Sequence, residues 1–300
     1  MMRRLVLIMT VLACANGGPR TPFDGAAARA DVETQVAFGP RVPNTDGHRQ
    51  AGDWILERLR ATVDSVHVQA WNHVTRGGDT LALRNLIGRF RPDATDRVLY
   101  IAHWDTRPLA DNEDNLGART RPIAGANDGG SGVAILLGVA RVLAATPPSV
   151  GVDLLFVDGE DYGDWSDAER QDVLIGSQYF AANLPAGYQP LYAVVWDMVG
   201  DADLEIRQEA YSVHRAPEVV ERVWRVAEDL GYGRVFRSQV GLGIVDDHIP
   251  LLDAGLRAIA VIDFSYGPSN SYWHTHQDTL DKVSAASLQI VGDLAVTLVQ

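Results

Sequence analysis

Four short apolar runs, free of the alternation that marks a half-exposed strand, constrain the fold most: 98–102 (VLYIA), 152–157 (VDLLFV), 192–196 (YAVVW) and 258–262 (AIAVI). Runs of this length and character belong to strands covered on both faces, as in a parallel sheet. Helical patterns alternate with them, at 132–143, 174–182, 217–230 (opened by a proline), 249–254 and 284–299. Ahead of them, 26–36 reads as a helix. The stretch 47–63 is a second helix, with Ala51, Trp54, Ile55 and Leu59 on one face, and strand-like runs follow at 66–70 and 83–90. Alternating buried strands and helices predict an α/β domain, a central, mostly parallel, twisted sheet with helices on both faces. A chain of 300 residues with 46% hydrophobic content can fill one large core or two small ones. No internal repeat divides it, so residues 26–300 are expected to form a single catalytic domain.

The ends of those runs carry the chemistry. The first ends in His103, Trp104 and Asp105, the second in Asp158, Gly159, Glu160 and Asp161, and the third in Asp197. The fourth ends in Asp263 and is followed by Trp273, His274 and Thr275, while Asp128 sits in a glycine-rich loop, 125–132 (GANDGGSG), just before a helix. Ligands of open α/β sheets bind beyond the carboxyl ends of the strands, so these side chains are expected on one rim. Zinc takes about four ligands, and a catalytic zinc leaves one position for water or substrate. One histidine and two carboxylates make a plausible protein set. Taken singly, each residue has an ordinary alternative: Asp128 as a helix cap, His103 as a satisfied core histidine, 158–161 as a solvated loop. Glu160 and Asp161 are neighbours that leave the strand in different directions. One can bind metal while the other stays free to carry a proton.

Composition narrows the partners and the compartment. The only cysteine is Cys14, which rules out an intramolecular disulfide and a cysteine-rich metal site. The formal charge is −13 without any dense basic run, which argues against a nucleic-acid partner. Residues 1–4 are a short basic start and 5–13 an apolar run, shorter than the ~20 residues that span a bilayer. This fits a signal peptide over 1–13. The tetrapeptide 11–14 (VLAC) resembles a bacterial lipobox. The expectation is an exported lipoprotein of the bacterial cell envelope, periplasmic or surface-facing, with 14–25 as a tether from lipidated Cys14. That lipid would be its sole membrane contact.

From about Phe38 to the C-terminus the motifs resemble those of the zinc aminopeptidases and the related animal-type glutaminyl cyclases. The residues that carry the resemblance are His103-Trp104-Asp105, the loop 125–132, the stretch 158–161, Trp196-Asp197-Met198, the stretch 246–250 (DDHIP) and Trp273-His274-Thr275. The resemblance implies a zinc-exopeptidase-like fold, zinc on Asp128, Asp161 and His274, and Glu160 as general base and acid. Asp161 stands where the family usually has glutamate, and its shorter arm would shift backbone or metal slightly. Aminopeptidases hold two ions, the second on His103 and Asp197 equivalents with the loop aspartate bridging, and those residues are present too. If no second ion binds, His103 and Asp105 would be structural, tying the strand end to the loop before Asp128.

Within the clan, several features are closer to cyclases. These are Asp246 in the 246–250 motif, Trp165 and Trp273 as pocket tryptophans, and the stretches 159–163 (GEDYG) and 174–180 (LIGSQYF), which look like bacterial cyclases. Either tryptophan alone could serve packing only. The resemblance adds Met198 and Ile244 as substrate-binding residues, and an acidic hydrogen-bond network of Asp197 and Asp246 with Glu160. One departure is Ala260, near where animal cyclases carry a histidine. The expected activity is cyclisation of N-terminal glutamine on peptides or protein N-termini by a monomer with one zinc ion. The alternative is a two-zinc aminopeptidase. A non-enzymatic lipoprotein of the same fold is a third reading, opposed by the intact ligand set.

Overall fold

The computed structural model describes residues 21–165, 169 and 171–300; the expected signal peptide and Cys14 lie outside them. Six strands form one mixed sheet: β1 (Ser65–Val74), β2 (Thr80–Phe90), β3 (Arg97–His103), β4 (Gly151–Val157), β5 (Tyr192–Asp197) and β8 (Ala258–Ile262), in the order β1-β2-β4-β3-β5-β8. The last four in that order run parallel, while β1 and β2 are antiparallel additions at one edge. Every residue of β3, β4, β5 and β8 is buried, as their unbroken apolar character requires. β1, at the edge, keeps no fully buried residue.

Four helices, α1 (Gly25–Ala37), α2 (Asp46–Thr62), α3 (Gly130–Ala145) and α8 (Ala285–Thr297), pack together over one face. Two more, α4 (Ile175–Ala182) and α7 (His248–Asp253), cover the other. Beside β8 lies a segment that the apolar pattern does not announce: a parallel ribbon of β6 (Ile206–Gln208) and β7 (Phe236–Val240), with α5 (Ala210–Arg215). The expected amphipathic helix, α6 (Pro217–Asp229), links the two strands of that ribbon.

The tether expectation over 14–25 needs correction from Thr21 onward. Phe23 is buried, and its ring lies where a side chain on Gly138 of α3 or Gly292 of α8 would stand. Thr21 donates both N–H and hydroxyl to Asp293, Gln289 bridges Gly25 N–H and the Phe23 carbonyl, and Asp24 caps α1. One buried aromatic ring contributes about 1.5–3 kcal/mol, which explains why a turn-rich sequence is docked here.

Candidate active site

The parallel strands β4, β3, β5 and β8 end on one rim, and the loops leaving that rim build the site. Asp128 precedes α3 but does not cap it. The N-cap is Gly129, at φ 76°, and no side chain bonds the helix start. Instead the backbone N–H groups of Asn127 and Asp128 donate to the buried carboxyl of Asp278 (2.8 and 3.2 Å), which turns the Asp128 side chain toward the imidazoles. Two further contacts lock this loop. Asn127 bridges to Met198 and Gly200 beyond β5, and Arg41, fully buried, donates to the carbonyls of Trp104, Ala124 and Gly125. Burial draws the Arg41 guanidinium down to about 10 despite the nearby carboxylates Asp278, Asp105 and Asp128. Close approach of α3 to β5 requires Gly132, where a Cβ would stand 2.1 Å from the Trp196 carbonyl oxygen.

Asp128 is shared by two clusters. On one side, His103 Nε2 lies 3.1 Å from Asp128 Oδ1 and 3.3 Å from Asp197 Oδ1. On the other, His274 Nε2 lies 3.7 Å from Asp128 Oδ2 and 3.3 Å from Asp161 Oδ1. In each trio the ligand atoms lie within 4.8 Å of one another, and all five side chains are buried. Buried polar atoms without hydrogen-bond partners gather here: both ring nitrogens of His103, Asp161 Oδ2, Asp197 Oδ1 and Asp246 Oδ2. Buried groups are ordinarily paired, so this concentration of nitrogen and carboxylate donors fits a divalent cation such as zinc on either side of Asp128. His274 and Met198 both have left-handed backbones, at φ 54° and 49°, the kind of local strain that gathers at functional sites.

The shells around the two clusters differ. Asp161 Oδ1 accepts from Arg107 Nη1 (3.0 Å) and from the indole of Trp165 (2.8 Å), while Arg107 also grips the Asp161 and Gly163 carbonyls and the carboxylate of Asp111. Asp111 in turn faces His274 Nδ1 at 3.3 Å. On the other side Asp105 is 3.6 Å from His103 Nδ1. Asp105 does not tie the strand end to the loop before Asp128. It accepts instead from the N–H groups of Glu160 and Asp161 (3.0 and 3.2 Å), aligning the loop after β4. Asp158 stays out of the site, held by His48 and by the Arg84 N–H, and Asp263 caps the N–H groups of Glu205 and Ser265.

Electrostatics follow from burial and from carboxylate crowding. Burial, reinforced by Asp161, Asp247 and Asp246, holds Glu160 well above the usual glutamate range against the pull of His103. Burial and then Asp197 push Asp246 up to about 7. For His274 burial works the other way, yet facing Asp161 and Asp111 raises it to about 9. Burial likewise opposes ionisation of Asp161, but His274 and Arg107 bring it down to about 2. The site is therefore rich in groups that keep a proton near neutrality, the condition for acid–base work.

A cavity of about 210 Å³ opens on the shared cluster. Its wall includes Asp128, Glu160, Asp161, Trp165, Asp197, Met198, Ile244, Asp246, Trp273 and His274, so every expected metal, proton-carrying and substrate-binding residue except His103 faces it directly. His103 stands behind Asp128 and Asp197. Glu160, Asp197 and Asp246 line the same cavity, but among the described residues no hydrogen bond joins their carboxyl groups in the expected network; Asp246 Oδ1 accepts from the neighbouring Asp247 N–H. Ala260 is buried in β8 and its N–H donates to Ser212. Sequence reasoning missed Arg107, Asp111, Asp278 and Phe264. Asp278 stands four residues after His274 and Arg107 four after His103, a closeness in sequence that by itself specifies neither role.

Residues 85–299 match the model of peptidase family M28. A Zn-dependent exopeptidase from Parabacteroides distasonis is 34% identical, with a TM-score of 0.89 over 94% of this chain and 100% of that one. Glutaminyl cyclase from Bacteroides thetaiotaomicron is 35% identical, with a TM-score of 0.89 over 94% of this chain and 99% of that one. Aminopeptidase YwaD of Bacillus subtilis is 25% identical over 92% of this chain, which spans 57% of that protein's length. With its six-stranded α/β domain, its paired histidine and carboxylate clusters and a match over most of its length, the chain belongs to peptidase family M28.

Proposed function

We propose that the protein is a zinc-dependent glutaminyl-peptide cyclotransferase, closing an N-terminal glutamine to pyroglutamate with release of ammonia. The observation that carries this reading is the character of the cavity. Two indoles and an apolar wall surround five carboxyl groups, Asp128 and Asp161 beside His274 and then Glu160, Asp197 and Asp246, and of the last three Glu160 and Asp246 are inclined to keep a proton near neutrality. A small pocket walled by indoles and apolar side chains suits a displacement whose nucleophile belongs to the substrate. The solved cyclase of the same fold supports the reading.

Asp128, Asp161 and His274 would hold the zinc ion, which when bound would supply Lewis-acid polarisation of the side-chain carbonyl. The residues of the chain do the rest. The cavity is smaller than the ~300–1000 Å³ of drug-sized sites and suits a single residue, folding its α-nitrogen toward the carbonyl carbon of its own side-chain amide, so that the N–C bond closes as the C–NH2 bond breaks. Such positioning can account for a large part of the acceleration of an intramolecular attack. Glu160 takes the proton from the attacking amine and returns one to the departing ammonia. Trp273, stacked on His274 with centroids 3.9 Å apart, and Trp165, bonded to Asp161, exclude water and steady those two side chains. A lipid on Cys14 would keep this body at the cell envelope.

Aminopeptidase activity is the second reading, favoured by His103 and Asp197, which offer unpartnered atoms on the far side of Asp128 as a second ion would need. A Gln-initiated peptide separates the two. Ammonia release with the peptide otherwise intact, at one zinc per chain, is the expected result. Release of a free amino acid at two zinc ions per chain overturns it.

A further inference from the structure

A second groove, about 310 Å³, continues from the cavity and shares Leu242, Ile244, Ile262 and Phe264 with it. Beyond them it is lined by Val240 and, at its far end, by Arg207 and Glu205. The lip between the two is unusually apolar for a surface: Leu242 is 66% exposed and Val240 54%. Exposed apolar patches of this kind mark places where something binds. The backbone beneath the lip is pinned: Gly241 N–H donates to the Gln208 carbonyl, Ala210 N–H to the Leu242 carbonyl, and Ile244 N–H to Glu209. The side chains are thus presented on a fixed edge.

Charge grades along the groove. Glu209 is spent internally, accepting from the N–H groups of Tyr211, Ser212 and Ile244 and facing His248. At the far end Glu205 is shared by Arg207 (2.9 Å) and Arg237 (3.4 Å), two guanidinium groups on one carboxylate. The occupant is constrained by continuity: a substrate with its first residue in the cavity must send the rest of its chain out past Leu242 and Phe264.

We propose that this groove is the subsite for the second and third residues of the substrate, taking an apolar second residue against Val240 and Leu242 and an acidic third residue, or a free carboxylate, against Arg207. The assignment rests on the proposed reaction only in that both place the substrate's first residue in the cavity.

The test compares glutaminamide, Gln-Gly-Gly, Gln-Leu-Glu and Gln-Leu-Lys on the zinc-loaded full chain. KM for Gln-Leu-Glu is expected about tenfold below that for Gln-Gly-Gly, the effect of partly burying one leucine side chain, with Gln-Leu-Lys between them. Arg207→Glu should reverse the order of Gln-Leu-Glu and Gln-Leu-Lys. Val240→Asp should cost Gln-Leu-Glu more than it costs glutaminamide. Equal KM values across the tripeptides, or equal losses for glutaminamide and Gln-Leu-Glu, overturn the subsite. Release of free glutamine in place of ammonia sinks cyclisation but leaves this comparison readable in the new product. If nothing turns over, calorimetric Kd values for the same peptides decide, and equal values overturn the proposal.

Discussion

The two halves of the site share Asp128 and are built by opposite means. His103 and Asp197 end two adjacent parallel strands, and the register of β3 against β5 alone brings them together. Asp161 and His274 come from loops far apart in sequence, and a buried guanidinium organises them: Arg107 holds Asp161 directly and His274 through Asp111. The strand half has rigid backbones and side chains with few partners. The loop half has irregular backbone, including the left-handed His274, and side chains already oriented. Outer hydrogen bonds of this kind orient metal ligands and raise affinity. The loop half is therefore the better-prepared metal site, and the strand half the one whose occupancy separates a one-ion enzyme from a two-ion one.

The residue common to both halves should show the largest effect. Asp128→Asn is expected to bring zinc per chain close to zero and to lower turnover by ~1000-fold or more, as loss of several kcal/mol of Lewis-acid stabilisation requires. Elemental analysis and the ammonia assay measure both, with circular dichroism to verify folding. Zinc retained at the native level would break the idea of a shared ligand. The next effect sharpens the contrast. Arg107→Met should weaken zinc binding by about 10–100-fold in a chelator competition, because Asp161 and His274 lose their organiser. His103→Ala should leave the tightest-bound ion in place. If the two substitutions weaken the same ion equally, the halves are not independent.

The strand half was also the more legible in sequence. An apolar run ending in His103 or Asp197 states both the strand and the place where its end emerges, because parallel strands of one sheet finish on one rim. The same logic drew in Asp158 and Asp263, which point elsewhere, since a strand end fixes position and not side-chain direction. In the loop half, Asp161 and His274 also stand out as residues that follow strand ends, but their role as metal ligands came from motif resemblance. Arg107, Asp111 and Asp278 were missed because their roles depend on contacts between distant loops, such as Arg107 to Gly163 and Asp278 to Asn127, that no local pattern encodes. The ribbon β6–β7 escaped notice for a related reason: short, half-exposed strands lack the unbroken apolar signature of the central ones. The docking of residues 21–25 was hidden too, because Phe23 is a lone apolar residue among turn formers and its socket is formed by Gly138 and Gly292.

The smallest expected effect reads the two halves by pH in the chelated protein. Asp246, beside Asp197 in the strand half, is held up to about 7 from an ordinary 3.8. His274, in the loop half, is raised to about 9 from 6.5. Between each pair of values the folded chain keeps a proton that the unfolded chain has released, so stability falls as pH rises. The strand half should thus lose stability between about pH 4 and 7, and the loop half between about 6.5 and 9. Each contribution should move the thermal midpoint by several degrees in a domain of this size. Asp246→Asn should make the acid window shallower, with Asp263 and Asp278, also raised to about 7, keeping the remainder, and His274→Gln should flatten the alkaline window, measured by calorimetry across the pH range. Zinc should flatten the alkaline window of the unaltered protein most, because a cation on His274 and Asp161 takes the place of the proton that the chelated form must keep. A zinc-loaded protein that keeps the alkaline slope and loses only the acid one would place the tighter ion on His103 and Asp197, and would reverse the ranking of the two halves.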